Sequence, residues 1–158
     1  MSLTIEYRLA GSGWADCAIQ LEGRTCQISA SYLSDALGNL ILAAAAVVAG
    51  VHSVSVGFDE EPGEYRWAVV KSGGNEVNVR LLEFQELWGN APDSEGKLLL
   101  EFAIRPLEFG KAVANAARAV LQEYGAAGYK ERWVEHDFPI RQFELLTELI
   151  ARWERNGG

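Results

Sequence analysis

The densest group of side chains that could carry chemistry lies in residues 59–67, which read DEEPGEYRW. Four of these nine residues are acidic and one is arginine. Carboxylates held close together raise one another's pKa and can act as general acids or bases, and an arginine beside them can bind a polar ligand. The same composition is typical of a solvated hairpin tip that contains one ordinary cross-strand ion pair. The sequence alone leaves both interpretations open.

A hairpin predicted around this segment brings further charges together. A type II turn at Pro62-Gly63 pairs Phe58 with Trp67, so that the apolar faces of the two strands coincide. In that register Asp59 lies opposite Arg66 on the other face. The charged side chains of this outer face form the predicted binding cluster: Asp59, Glu61, Glu64, Arg66 and Arg80.

Two tryptophans extend the set of candidate binding residues. Trp88 lies in the polar segment 85–96, where it either tucks under the loop or stands out as an anchor for a partner. Trp14 lies between the glycine-rich turn 11–13 and Asp16, where it either closes one end of the sheet or contacts a ligand. The other three tryptophans fall on predicted apolar faces and are interpreted as core residues: Trp67, Trp133 and Trp153.

Other reactive residue types do not form a recognisable set. His52 and His136 are the two histidines, and neither has the paired spacing of a metal site. No Gly-x-Ser-x-Gly elbow occurs, so no serine is singled out as a nucleophile. We therefore predict no catalytic residue, no metal ligand and no cofactor.

The two cysteines are interpreted as reduced core thiols. A two-residue turn at Glu22-Gly23 places Cys17 opposite Ile28 and Ile19 opposite Cys26. The cysteines are then diagonal neighbours on one apolar face, where free cysteine packs as a small hydrophobic residue.

Length, charge and hydropathy limit the number of domains and the kinds of partner that we expect. The chain has 158 residues, of which 49% are hydrophobic, and this size is typical of one domain, predicted over residues 1–158. The net charge of −8, with no local basic patch, disfavours nucleic acid as a partner. The longest apolar run, residues 40–51, is shorter than the ~20 residues that a membrane-spanning helix needs. Because residues 1–6 show no export signal, we expect a cytoplasmic location and no membrane association.

The elements that must position these side chains follow the order βββ-α-ββββ-αα. Strands are predicted at residues 4–9, 14–21 and 24–30, and again between residues 53 and 104. Ser31 or Ser34 caps a nearly all-apolar helix that ends near Gly50. A second helix starts at Pro106 and ends at Gly125 or Gly128, and a third follows Pro139. The predicted fold class is α+β, with an antiparallel meander sheet of about seven strands and helices packed mainly on one face.

Several short motifs resemble a group of uncharacterised bacterial proteins of similar length. The motifs are GWADC at residues 13–17, YLSDAL at 32–37, EPGEYRW at 61–67, Gly128-Tyr129, and Phe138-Pro139. The resemblance spans nearly the whole chain, implies a bacterial cytosolic protein and transfers no catalytic residue. It also implies that Trp14, Asp16, Asp35 and residues 61–67 belong to one site or one structural cluster.

Three functions remain as hypotheses. The leading one is a non-enzymatic interaction module that binds a basic protein partner, as immunity proteins do, because the chain is acidic and lacks a nucleophile or metal set. The alternative is an enzyme or small-molecule-binding protein that uses Glu61, Glu64 and Arg66. The third is a homodimer formed through an edge strand or through the last helix, with Trp153 in the interface.

Overall fold

The computed structural model describes residues 2–86 and 90–156. Its fold class is α+β, as predicted, and the predicted order of strands and helices is confirmed. The elements are β1 (Leu3–Ala10), β2 (Trp14–Leu21), β3 (Arg24–Ser31), α1 (Ala36–Ala49), β4 (Ser53–Asp59), β5 (Glu64–Ser72), β6 (Glu76–Phe84), β7 (Lys97–Ile104), α2 (Pro106–Trp133) and α3 (Ile140–Arg155). Within the described residues, no helix is both long and apolar enough to cross a membrane.

The strands form two antiparallel sheets, so the expectation of one seven-stranded meander is corrected. β1, β2 and β3 make a three-stranded sheet, and β4 to β7 make a four-stranded sheet. Where β3 meets the end of β4, side chains replace the backbone ladder: the Ser31 hydroxyl donates to the Asp59 carbonyl (3.1 Å), and the Ser29 hydroxyl donates to the Glu60 carboxylate (2.6 Å). The two sheets are therefore joined at this edge by side-chain hydrogen bonds and not by a backbone ladder.

One hydrophobic core joins the inner faces of both sheets to the three helices. α1 is buried on most of its circumference because it packs against β4 on one side and against α2 and α3 on others. α1 and α2 approach closely at Gly110, where a Cβ atom would collide with the Val48 side chain. A helix that is apolar nearly all round is stable only with such cover, as its composition predicted.

The N-terminus of α1 is capped by Asp35, and the prediction of Ser31 or Ser34 as the cap is wrong. The Gly38 N–H donates to the Asp35 carboxylate at 3.2 Å. The Ser34 hydroxyl instead accepts from the Asp59 N–H (3.2 Å), and the Ser31 hydroxyl donates to the same residue's carbonyl, so both serines join the end of β3 and the segment that follows it to β4. The predicted C-terminus is confirmed, since Gly50 follows the helix with a left-handed φ of 95°.

α2 continues past the predicted end at Gly125 or Gly128. Gly125 does break the helix, with φ 69° and ψ 170°, but a second helical segment runs on to Trp133. Tyr129 and Trp133 in that segment are fully buried and pack with Phe138. Burial of these rings explains why helical structure resumes after the glycine.

Candidate functional site

In the hairpin that carries the acidic cluster, each β4 residue pairs with a β5 residue two positions earlier than predicted. The hairpin at Glu22-Gly23 has the predicted register, but at the second hairpin Phe58 pairs with Tyr65 and not with Trp67. The turn has four residues, since β4 ends at Asp59 and the Glu60 N–H donates to the Gly63 carbonyl at 2.9 Å. A shift of two residues keeps every side chain on its predicted face.

The register changes the partners of the charged residues. Asp59 lies opposite Glu64, and the expected Asp59–Arg66 pair is wrong because Arg66 lies opposite Gly57. Arg80 pairs with Ala68 in the ladder, so Arg66 and Arg80 are diagonal neighbours on the outer face and not directly opposed. The two arginines nevertheless come together through a residue from another segment.

Arg66 holds the segment that connects β6 to β7. Its guanidinium donates to the Ala91 carbonyl (2.7 Å), to the Asp93 carboxylate (2.9 Å) and to the Glu64 carboxylate (3.3 Å). It also lies 4.1 Å from the centre of the Phe84 ring, in cation–π geometry. Only 13% of the Arg66 side chain and 12% of the Glu64 side chain are exposed. These two residues are therefore part of the packing of the outer face.

Asp93 binds both arginines and thereby holds the segment around it over the outer face of the four-stranded sheet. Its other carboxylate oxygen accepts from Arg80 at 3.0 Å. Beneath this bridge lies a small apolar cluster that is separate from the main core: Ala68, Leu82 and Phe84, with Ala91 packed against it. Arg66 and Arg80, which were predicted to belong to a binding cluster, therefore hold this segment against the sheet.

The acidic side chains on the other side of the turn line an open cleft of about 90 Å³. Among the described residues that line it, the charged ones are Glu60, Glu64 and Glu83, and none is a lysine or an arginine. Lys97 lies opposite Glu83 in the ladder, but their side chains form no ion pair within 4.0 Å among the described residues. The cleft therefore has an acidic lining without a basic side chain of its own.

Tyr65 lies between two of these carboxylates. Burial, together with the nearby charges of Glu60 and Glu83, raises the pKa of Tyr65 to about 12. One hydroxyl proton can be donated to only one acceptor at a time. Glu60 also accepts from the Ser29 hydroxyl at 2.6 Å. The pair of carboxylates keeps acceptor capacity for a hydrogen-bond donor from outside the chain.

Trp14 and Asp16 lie on the outer face of the three-stranded sheet, one strand away from the turn. Trp14 pairs with Ser31 and Asp16 pairs with Ser29, and these serines bond to Asp59 and Glu60. Trp14 is 39% exposed, so part of its ring remains accessible to a partner. The register thus places this tryptophan and this aspartate beside the acidic turn.

Two of the quoted motif segments, residues 13–17 and 32–37, meet each other and the end of α2 in a structural cluster. The Gly13 N–H donates to the Arg132 carbonyl (2.7 Å), and the Tyr32 N–H donates to the Gly13 carbonyl (2.8 Å). The Trp133 indole N–H donates to the Ser34 carbonyl at 3.3 Å. Asp35, beside them, serves as the α1 cap, and burial raises the pKa of its carboxyl.

Four members of the site are absent from the predicted cluster: Glu60, Tyr65, Glu83 and Asp93. Glu60 and Tyr65 lie within the segment 59–67 that the sequence singled out, and Glu83 had a signal of its own. Glu83 continues the inner-face positions Val77, Val79 and Leu81 of β6, and an acid in an apolar row is a position where a buried polar contact is expected. Asp93 had no comparable signal, because its partners lie on strands that are distant in sequence. Trp88, for which the sequence left open a position tucked under the loop or a role as a partner anchor, lies outside the described residues.

The remaining reactive residues form no second centre among residues 2–86 and 90–156. No group of three or more histidine, cysteine or acidic side chains is arranged to hold a metal ion there. Cys17 and Cys26 are both free and buried, as predicted. Burial raises the pKa of both thiols, and the charge of Glu83 adds to the shift at Cys26.

No family model matches the sequence, and comparisons with curated proteins and with solved structures find no significant similarity.

Proposed function

We propose that this protein is a non-enzymatic cytoplasmic interaction module that binds a basic protein partner through the acidic end of its four-stranded sheet. The acidic end is defined as the turn 60–63 with Glu64, Tyr65 and Glu83, together with the flanking Glu86. The observation that carries the proposal is the cleft whose carboxylates flank Tyr65 and have no lysine or arginine among the residues that line it.

The chemistry of the cleft favours a lysine or arginine side chain as the group that enters it. A lysine ammonium has three donors and a guanidinium has five, and both form their strongest hydrogen bonds with carboxylates. The cleft of about 90 Å³ has room for one such head group and is well below the ~300–1,000 Å³ of drug-sized ligand sites. Exposed Glu61 and Glu86 would add attraction over a longer range.

Trp14 supplies an apolar contact beside this acidic surface. It lies one strand away from the bonds that join Ser29 and Ser31 to Glu60 and Asp59, and it is partly exposed. Tryptophan is enriched among the residues that dominate binding energy, and its ring face attracts cations. Asp16 on the same face extends the negative charge toward it.

The alternative of an enzyme or small-molecule site that uses Glu61, Glu64 and Arg66 has weaker support. The Arg66 guanidinium makes three hydrogen bonds within the chain, so little of it remains for a ligand. Glu64 is one of the hydrogen-bond partners of Arg66. Of Glu61, Glu64 and Arg66, Glu61 is therefore the one that is exposed and available to a ligand.

The proposal is tested by capture from a lysate of the source organism at low and high salt. The bait chains are the wild type, a Glu61→Lys/Glu86→Lys variant, and a Glu123→Lys/Glu131→Lys variant with the same change in net charge on α2. All four glutamates are exposed, so each variant should fold. We expect a basic protein that the wild type and the α2 variant retain at low salt and that the turn variant loses.

Two results would contradict the proposal. One is a wild-type chain that retains no protein at either salt concentration. The other is equal loss of the retained protein in both variants, since that pattern would reflect the overall charge and not the acidic end.

A further inference from the structure

A groove of about 760 Å³ lies at the opposite end of the four-stranded sheet from the acidic turn. The β5–β6 turn forms one wall, the C-terminal end of α1 and the start of α2 form others, and Trp153 of α3 completes it. This volume falls within the ~300–1,000 Å³ of small-molecule sites in proteins. The groove shares no lining residue with the acidic cleft, so it is a separate feature.

The groove exists because the helices end before the sheet does. Lys71, Val77 and Ile104 form one row across β5, β6 and β7 on the inner face, and only the last two are buried. α1 ends at Gly50 and α2 begins at Pro106, so this last row is partly uncovered.

The floor of the groove is apolar and contains a fixed aromatic ring. The Trp153 indole N–H donates to the Val48 carbonyl at 2.8 Å, which holds the ring against the end of α1. Val47, Val77 and Leu107 line the groove beside it. The apolar body of a ligand placed there would be removed from water, which favours binding.

Two basic side chains of the groove have no partner among residues 2–86 and 90–156. Among the described residues, neither the Lys71 ammonium nor the Arg105 guanidinium forms an ion pair, a side-chain hydrogen bond or a cation–π contact. Glu76 and Glu108 also line the groove, so its rim is not uniformly basic. Because neither acid pairs with the two cations, the cations remain available to an anionic group.

We propose that this groove binds a small amphipathic carboxylate, with its aliphatic body against Trp153 and its carboxylate between Lys71 and Arg105. A guanidinium and a carboxylate form a charge-assisted, often bidentate pair. The first turn of α2 also lines the groove, where the positive end of its dipole favours an anion and the Glu108 carboxylate opposes it. This inference is independent of the proposed protein partner.

Octanoate is the probe, and octanol and octylammonium are the matched neutral and cationic probes. The full chain labelled with nitrogen-15 is titrated below the micellar range, and the indole N–H resonance of Trp153 reports binding. We expect octanoate to shift that resonance with a Kd at least tenfold lower than the Kd for octanol, and octylammonium to bind more weakly than octanol.

A charge-reversal pair tests the two cations. Lys71→Glu/Arg105→Glu should weaken octanoate binding at least tenfold, while Lys130→Glu/Arg141→Glu, with the same change in net charge outside the groove, should change it less than twofold. All four residues are exposed, so the variants should fold. Equal loss in both variants, equal Kd values for octanoate and octanol, or no shift of Trp153 with any probe would each overturn the proposal.

Discussion

The basic side chains at the two ends of the four-stranded sheet differ in the contacts that they make. At the acidic end, Arg66 and Arg80 meet on Asp93, and Arg66 also binds the Ala91 carbonyl. At the groove end, Lys71 and Arg105 form no ion pair or side-chain hydrogen bond among the described residues. The difference arises from the segment between β6 and β7. Ala91 supplies the carbonyl and Asp93 supplies the carboxylate to which the arginines bind.

The glycines of the two turns show the same contrast. A Cβ atom at Gly63 would collide with the backbone carbonyl of Phe84, whereas a Cβ atom at Gly73 would meet nothing within 4 Å. The acidic turn is packed against the neighbouring strand, and the groove turn projects into solvent. Packing at one end therefore holds the acidic cleft in shape, and open space at the other end leaves room for a ligand.

The largest expected difference between the ends is the effect of removing an arginine. Arg66→Ala should lower the free energy of unfolding by about 3 kcal/mol, because it leaves the largely buried Glu64 without its ion-pair partner and leaves Asp93 with Arg80 as its one remaining arginine. Arg105→Ala should change it by less than about 0.5 kcal/mol, as is usual for an exposed side chain without contacts. Urea unfolding measures both values. If the two variants lose the same stability, Arg66 does not hold the loop and the contrast between the ends fails.

Substitution of the turn glycines should give a smaller difference. Gly63→Ala should destabilise the protein by about 1–3 kcal/mol, since the backbone must move to accept the added carbon. Gly73→Ala should be neutral or stabilising by up to about 1 kcal/mol, because alanine restricts the unfolded chain and meets no obstacle in the folded one. Thermal unfolding of the two variants checks this pair. Similar melting temperatures would show that the acidic turn is not packed against Phe84.

A still smaller effect should appear in the titration of Tyr65. Glu83→Gln should move the pKa of Tyr65 from about 12 toward its usual value of 10, because it removes one of the charges that disfavour the phenolate. Glu76→Gln at the groove end is the matched control and should leave the Tyr65 titration unchanged. Carbon-13 NMR of labelled tyrosine measures the pKa. An unchanged value in Glu83→Gln would mean that this carboxylate does not act on Tyr65.

The same shift predicts a dependence of stability on alkaline pH. The folded pKa of Tyr65 is raised, so its contribution to stability is present below pH 10 and is lost as the pH rises to about 12. Burial raises the pKa of Tyr7 and Tyr129 as well, so they share this loss. The free energy of unfolding should therefore fall between pH 10 and 12, and it should fall less steeply in Tyr65→Phe. Identical slopes in the wild type and the variant would contradict this assignment.

The sequence predicted local structure well where a short turn determines the register. At Glu22-Gly23 the two central residues form the whole turn, so the pairing of Cys17 with Ile28 follows directly. At Pro62 the turn also includes Glu60, and alternation of apolar residues cannot detect a shift of two because every side chain keeps its face. Fold class and core faces are therefore predictable, and the partners of individual charges are not.

The separation into two sheets and the role of Asp93 depend on contacts between distant segments. Ser31 was interpreted as a helix cap, a local role, but its hydroxyl bonds to Asp59 across the gap between the sheets. Asp93 approaches Arg66 and Arg80 only after the connecting segment has folded over the outer face. The spacing of apolar residues in the sequence does not indicate that this segment folds back over the sheet.

The most direct test of the proposed function is chemical-shift mapping of the nitrogen-15-labelled chain with octalysine as a basic probe. We expect the largest shifts at residues 60–65 and 83–86, a decrease in the pKa of Tyr65 as ammonium groups approach its carboxylates, and at least tenfold weaker binding by Glu61→Lys/Glu86→Lys than by Glu123→Lys/Glu131→Lys. Shifts centred on α2 or α3, or equal weakening in the two variants, would show that the acidic end is not the binding surface.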